Sequence, residues 1–144
     1  MWQSETKSID MPLKIEDKME ISELLSRYNL AMDRNDLDAW LETWNEDGIL
    51  IANFGEARGR KQLADLMTSI QPSFASGKRH MSSNMIIGDE DNGNVGVISY
   101  LTVIEARKQP SVVASGVYKD ILKKDDDKWR FTHRRLEVDL VEDQ

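Results

Sequence analysis

The sequence predicts an α+β fold, with about three N-terminal helices followed by a mainly antiparallel sheet. Three observations lead there. Apolar residues recur at helical spacing as far as about residue 70, the period changes to two from residue 79 onward, and short polar turns separate the later segments. A chain of 144 residues suits one domain with one sizeable core.

Residues 1–13 read as an N-terminal arm, polar and without the apolar run of a signal peptide, and residues 14–144 as the domain. Ile15, Met19, Leu24, Leu25, Tyr28 and Met32 form one apolar helical stripe. Asn35-Asp36 breaks that helix and offers a cap to the next, where Leu37, Trp40, Leu41 and Trp44 stand at i, i+3, i+4 and i+7. Asp47-Gly48 turns into a strand over Ile49 to Phe54. Gly55 and Gly59 punctuate a loop before a third helix, Arg60 to Ile70, which Gln71-Pro72 ends.

Strands follow over Arg79 to Gly88, Val95 to Arg107, Ser111 to Lys123 and Lys128 to Leu140. In the last, Trp129, Phe131 and His133 share one parity, and Leu136, Val138 and Leu140 the other. One extra residue near Arg134-Arg135 reconciles them, so a β-bulge is predicted there. A bent sheet capped by helices has a concave face on which a pocket forms.

Composition excludes several functions. The net charge of −7 disfavours nucleic acid, whose phosphates need a basic face. The chain has no cysteine, which rules out disulfides, thiolate metal sites and a cysteine nucleophile, and fits a reducing cytoplasm. No apolar run approaches the ~18 residues of a membrane span. The two histidines are too few for a protein-only histidine metal site, so no metal is expected.

Those histidines are the first candidates for chemistry. On a strand His80, Ser82 and Asn84 point one way, and Met81, Met85 and Ile87 the other. The polar face either meets water or lines a cavity, where an imidazole acts as general base or acid near neutral pH. Asp33, ending the first helix, is either a solvated terminal residue or a partner for that imidazole; the helix dipole disfavours a carboxylate there, which a partner would explain. Tyr28 is either a core tyrosine or a pocket group offering its hydroxyl to a ligand oxygen. Trp40, Trp44 and Trp129 read as core. Beside His133, Arg134 and Arg135 suggest a charged, exposed stretch that binds a carboxylate or contacts another subunit.

Four segments together resemble the SnoaL-like domains of the nuclear transport factor 2-like superfamily: "ISELLSRYNLAMDRNDLDAWLETWNEDGIL", "GRKQLADLM", "RHMSSNMII" and "GVYKDILKKDDDKWRFTHRRL". Their order and spacing match over about residues 15–138. The resemblance implies a curved, mainly antiparallel sheet forming a cone (an α+β barrel) capped by the helices. It points to the branch of scytalone dehydratase, bile-acid dehydratase and hexachlorocyclohexane dehydrochlorinase, in which a strand histidine acts as base and an aspartate ending the first helix orients it. His80 and Asp33 match those positions, Tyr28 matches a tyrosine on substrate oxygen, and Asn84 completes a His-x-x-x-Asn pattern. The second pocket histidine of scytalone dehydratase has no counterpart in "SYLTVIEAR", and Glu105 is the nearest acid there. The resemblance implies a cofactor-independent lyase, dehydratase or isomerase acting on a small apolar or cyclic substrate, in a homo-oligomer (trimer or dimer). The alternatives are a non-catalytic ligand-binding module and a small structural subunit of a ring-hydroxylating oxygenase.

Overall fold

A computed structural model describes residues 13–74, 77–89 and 91–140. The predicted arm lies outside these residues apart from Leu13. Helix α1 spans Ile15–Asp33 and α2 Leu37–Glu42; strand β1 covers Trp44–Ala52 and β2 Gly55–Arg58; α3 runs over Gly59–Phe74. Strands β3 (Lys78–Ile87), β4 (Asn94–Glu105), β5 (Ser111–Asp125) and β6 (Lys128–Val138) complete the chain. The six strands form one open, curved sheet in the order β2-β1-β6-β5-β4-β3, antiparallel except where β1 runs parallel to β6. This is the α+β architecture that the sequence predicts, with the helices packed over the concave face.

The first helix turns a different face inward at its start. Ile21, Leu24, Leu25, Tyr28 and Met32 are buried, whereas Ile15 and Met19 are exposed. Ile15 lies six residues before Ile21, about 120° off the buried line at 100° per residue. Asp36 caps α2 as the sequence indicates, accepting from the Ala39 N–H at 3.0 Å. Trp44 leaves the predicted second helix and joins β1, because it pairs with Phe131 of β6 and tertiary pairing outweighs local periodicity. The expected loop at Gly55 is instead a hairpin in which Ala52 pairs with Gly55. Helix α3 runs past the expected stop and holds Pro72 in its last turn.

Three bulges interrupt the antiparallel pairings, and the parallel β1–β6 pair has a further register shift between Trp44 and Ile49. Between Ser83 and Ile86 strand β3 carries one residue more than β4, and Asn84 there has φ 52°. Between Ala114 and Val112 strand β5 gains one residue on β4. In β6, Phe131 and His133 pair with adjacent residues of β5, so Thr132 is the extra residue. The last bulge thus falls near Arg134-Arg135, as the sequence predicts, with the extra residue two positions before Arg134. It carries Arg134 to the inner face, where the side chain is fully buried, and corrects the reading of this stretch as exposed.

The core fills the concave side. Tyr28 meets Trp40, Trp44, Tyr118 and Phe131 at ring-centroid distances of 5.4 to 6.2 Å. Trp40, Trp44 and Trp129 are buried, as the sequence suggests. Such aromatic pairs add about 0.5–1.5 kcal/mol each beyond area burial.

Candidate functional site

Helix α1 lies against β3, and its last two turns present Asn29 and Asp33 to that strand. The two residues are i and i+4, so they project from one face. On β3 they meet Ser82 and His80, two residues apart and hence on one face of the strand.

The Asp33–His80 contact is direct. Asp33 Oδ1 lies 2.6 Å from His80 Nδ1, with only 7% and 4% of the two side chains exposed. The His80 backbone N–H also donates to both Asp33 oxygens, at 3.2 and 3.1 Å. Three contacts offset the unfavourable end of the helix dipole, an effect of about 0.3–1 kcal/mol. A carboxylate only accepts hydrogen bonds, so Nδ1 carries the proton in neutral His80 and Nε2 carries the lone pair. That is the tautomer of a general base.

One turn earlier, Asn29 Nδ2 donates to Ser82 Oγ at 3.0 Å. Asn29 is buried, and among the described residues its Oδ1 has no hydrogen-bond partner. Nor have Ser99 Oγ on β4 and Arg134 Nη1 on β6, both in fully buried side chains. A buried polar group left unpaired costs about 1–3 kcal/mol.

Arg134 is the second charged centre of the interior. Its Nε and Nη2 donate to the two Asp120 oxygens at 2.8 and 3.0 Å. Its guanidinium carbon sits 3.5, 4.2 and 4.3 Å from the ring centroids of Tyr118, Phe131 and Tyr28. Burial opposes the guanidinium charge, but the Asp120 carboxylate and the neighbouring Tyr118 and Tyr28 together hold the group above its ordinary pKa. Burial likewise pushes the Tyr28 and Tyr118 phenols up, so both remain neutral O–H groups at physiological pH.

The sequence-derived candidates thus separate. His80 and Asp33 touch. Tyr28 lies on the same helix but in the aromatic core, on Arg134. Asn84 does not join the row of His80 and Ser82, because the bulge breaks the alternation and leaves Asn84 exposed; Met85 and Ile87 follow on the inner side. His133 is turned from the inner face by the Thr132 bulge. Sequence reasoning missed Asn29, and it named Arg134 but read it as exposed. An asparagine one turn before Asp33, on the buried line of α1, was the available signal for the first.

An open groove of about 700 Å³ lies elsewhere, between α1, α2 and the β5–β6 turn; Leu24, Arg27, Arg34, Glu42, Trp129 and Arg130 line it, and neither His80 nor Asp33 does. Among the described residues no cluster of three or more His, Asp or Glu could hold a metal, and no helix is long and apolar enough to cross a membrane.

The SnoaL-like domain model matches residues 14–135. The chain belongs to the SnoaL-like family. A comparison with curated proteins finds no match. Among solved structures, the chain is similar to a protein of unknown function with a cystatin-like fold from Nostoc punctiforme, at 36% identity over 90% of this chain and 96% of that one, TM-score 0.84. It is also similar to a protein of unknown function from Mycobacterium tuberculosis, at 26% identity over 88% and 73%, TM-score 0.78. A provisionally named scytalone dehydratase from Novosphingobium aromaticivorans shares the fold at 22% identity over 88% and 86%, TM-score 0.76.

Proposed function

We propose that this SnoaL-like domain binds a small, largely apolar, cyclic molecule and removes a proton from it, as a lyase, dehydratase or isomerase that needs no cofactor. One observation carries the reading: the buried 2.6 Å contact between Asp33 and His80 Nδ1. It leaves Nε2 as the base. Asp33 orients the ring and stabilises the imidazolium that forms when Nε2 takes a proton. In a lyase the C–H electrons then form a double bond as a leaving group departs; in an isomerase the proton returns at another carbon. Tyr28 is a contact to substrate oxygen on the family resemblance alone; its ring is buried in the aromatic core against Arg134. Asn84, exposed on its bulge, has no part in this scheme.

General-base assistance is worth about 10²–10⁴-fold. The reaction is read as hydrogen–deuterium exchange at C2 of 1-indanone, a small cyclic ketone with an acidic C–H. The wild-type protein is expected to accelerate exchange, and His80→Gln to lose at least a hundredfold of that acceleration. Equal rates for the two proteins would remove His80 from the mechanism.

We further propose a homo-oligomer formed through the outer sheet face. The apolar side chains of Met81, Ile86 and Tyr100 are exposed there on β3 and β4, which supports a covered face in solution.

A further inference from the structure

Helix α1 presents Asn29 and Asp33 to β3. About 150° round the helix, at 100° per residue, Leu24, Arg27, Leu30, Ala31 and Arg34 form a second stripe. That stripe is one wall of the open groove between α1, α2 and the β5–β6 turn. The groove holds about 700 Å³, within the ~300–1,000 Å³ range of small-molecule sites. The proton-abstraction reading makes no use of it.

The floor of the groove is apolar. Leu24, Ala31 and Trp129 line it and are buried. The Trp129 indole N–H is spent on Asp17 Oδ1 at 3.0 Å, so the ring has no free polar atom to offer. Leu30, also in the lining, is a large apolar side chain left half exposed. The charged residues of the lining balance in number, so what each is bonded to decides what the groove can take. Glu20 accepts from the Trp129 backbone N–H at 3.0 Å, Asp36 caps α2 at 3.0 Å, and Glu42 lies 3.5 Å from Arg130. Asp127 has Lys128 beside it in the turn. Arg27 pairs with Glu23 of its own helix. Arg34 differs. It is exposed at the end of α1, and among the described residues its guanidinium has neither an ion pair nor a hydrogen bond. The uncommitted group is thus a cationic fork of N–H donors, whose geometry matches a carboxylate.

We propose that this groove is a second binding site, for an elongated organic carboxylate. The carboxylate pairs with Arg34, and the apolar body lies along Leu30 and Ala31 toward Leu24 and Trp129. Leu24 stands ten residues before Arg34, about 15 Å along the helix, so the ligand is long rather than compact. The site is separate from His80 and stands or falls independently of the base.

The test compares 6-phenylhexanoate with 6-phenylhexanamide, which share a shape and differ in charge. Both are titrated into nitrogen-15-labelled protein, and dissociation constants and the positions of the shifted amides are read by NMR. The wild-type protein is expected to bind the carboxylate about fivefold more tightly, as for an arginine–carboxylate pair partly open to solvent. The preference should shrink in high salt. Shifts should centre on Leu24, Ala31, Arg34 and Thr43. Arg34→Gln, at an exposed position, should bring the ratio to near one. Leu30→Ser should weaken both ligands and keep the ratio. Binding of neither compound, equal binding by the wild-type protein, a preference that survives Arg34→Gln, or shifts centred on His80 and β3 overturns the site.

Discussion

Replacing Asp33 by asparagine changes one oxygen to an amide nitrogen, yet the geometry gives it a large effect. Asp33 accepts from two donors on His80, the backbone N–H at 3.1–3.2 Å and Nδ1 at 2.6 Å. An asparagine offers one oxygen. If that oxygen serves the backbone, the amide NH₂ faces Nδ1 and can only donate to it. Nδ1 then carries the lone pair, the proton moves to Nε2, and the base is lost as a tautomer before any change in its strength. A hydrogen bond to a charged group contributes about 1.5–3 kcal/mol, and each 1.4 kcal/mol is tenfold, so weakening that bond alone gives roughly 10–150-fold. The wrong tautomer brings the total toward 10³–10⁴-fold. Stability should change less, because removing a carboxylate from the helix C-terminus recovers about 0.3–1 kcal/mol. The assay is kcat/KM for C2 exchange on 1-indanone, with the melting temperature measured alongside. An Asp33→Asn protein that keeps more than about a third of wild-type exchange while remaining folded refutes the orienting role.

Other outcomes follow from the same structure. Arg134→Met leaves the Asp120 carboxylate buried and unpaired, a loss of about 3–5 kcal/mol that lowers Tm by roughly 6–20 °C; Arg134→Met with Asp120→Leu should recover most of it, and a Tm unchanged in the single variant contradicts the pairing. Asp17 is held below the ordinary carboxylate range, chiefly by the Trp129 indole N–H at 3.0 Å. Its folded pKa is depressed, so its contribution to stability is present above the unfolded value of 3.8 and is lost as pH falls through the folded one. The Tm difference between wild type and Asp17→Asn should therefore be present at pH 6 and shrink below pH 4; a difference that grows in acid reverses the sign. Tyr100→Glu places a charge on the outer apolar face and should shift the species seen by light scattering toward monomer. A wild-type protein that is already monomeric at working concentration removes that interface.

Much of this arrangement was legible in the residues. The change of period from helical to alternating near residue 79 predicts an α+β fold, because burial of one face imposes those two spacings. Asp33 and His80 were singled out one at a time, but 47 positions of chain separate them and spacing carries no information about their contact. The rest was lost at the bulges. Each adds one residue and inverts the parity beyond it, so a shift of two positions in β6 moved Arg134 from solvent to the centre of the core. The bulge at Asn84 likewise took that residue out of the row of His80 and Ser82. Trp44 was misread for a different reason. Its helical spacing is real, but the chain enters β1 there, where Trp44 pairs with Phe131 and is fully buried. Asn29 was overlooked because a single polar residue among apolar ones is read as noise until its partner on another element is known.

The central claim is that Asp33 fixes the His80 ring with Nε2 free to take a proton. Nitrogen-15 NMR of the histidine side chains reads this directly, above the pH at which the imidazole is charged. The account predicts that His80 carries its proton on Nδ1, with Nε2 showing the shift of an unprotonated nitrogen, and that Asp33→Asn abolishes this preference. A wild-type His80 protonated on Nε2, or one exchanging evenly between the two forms, would contradict it.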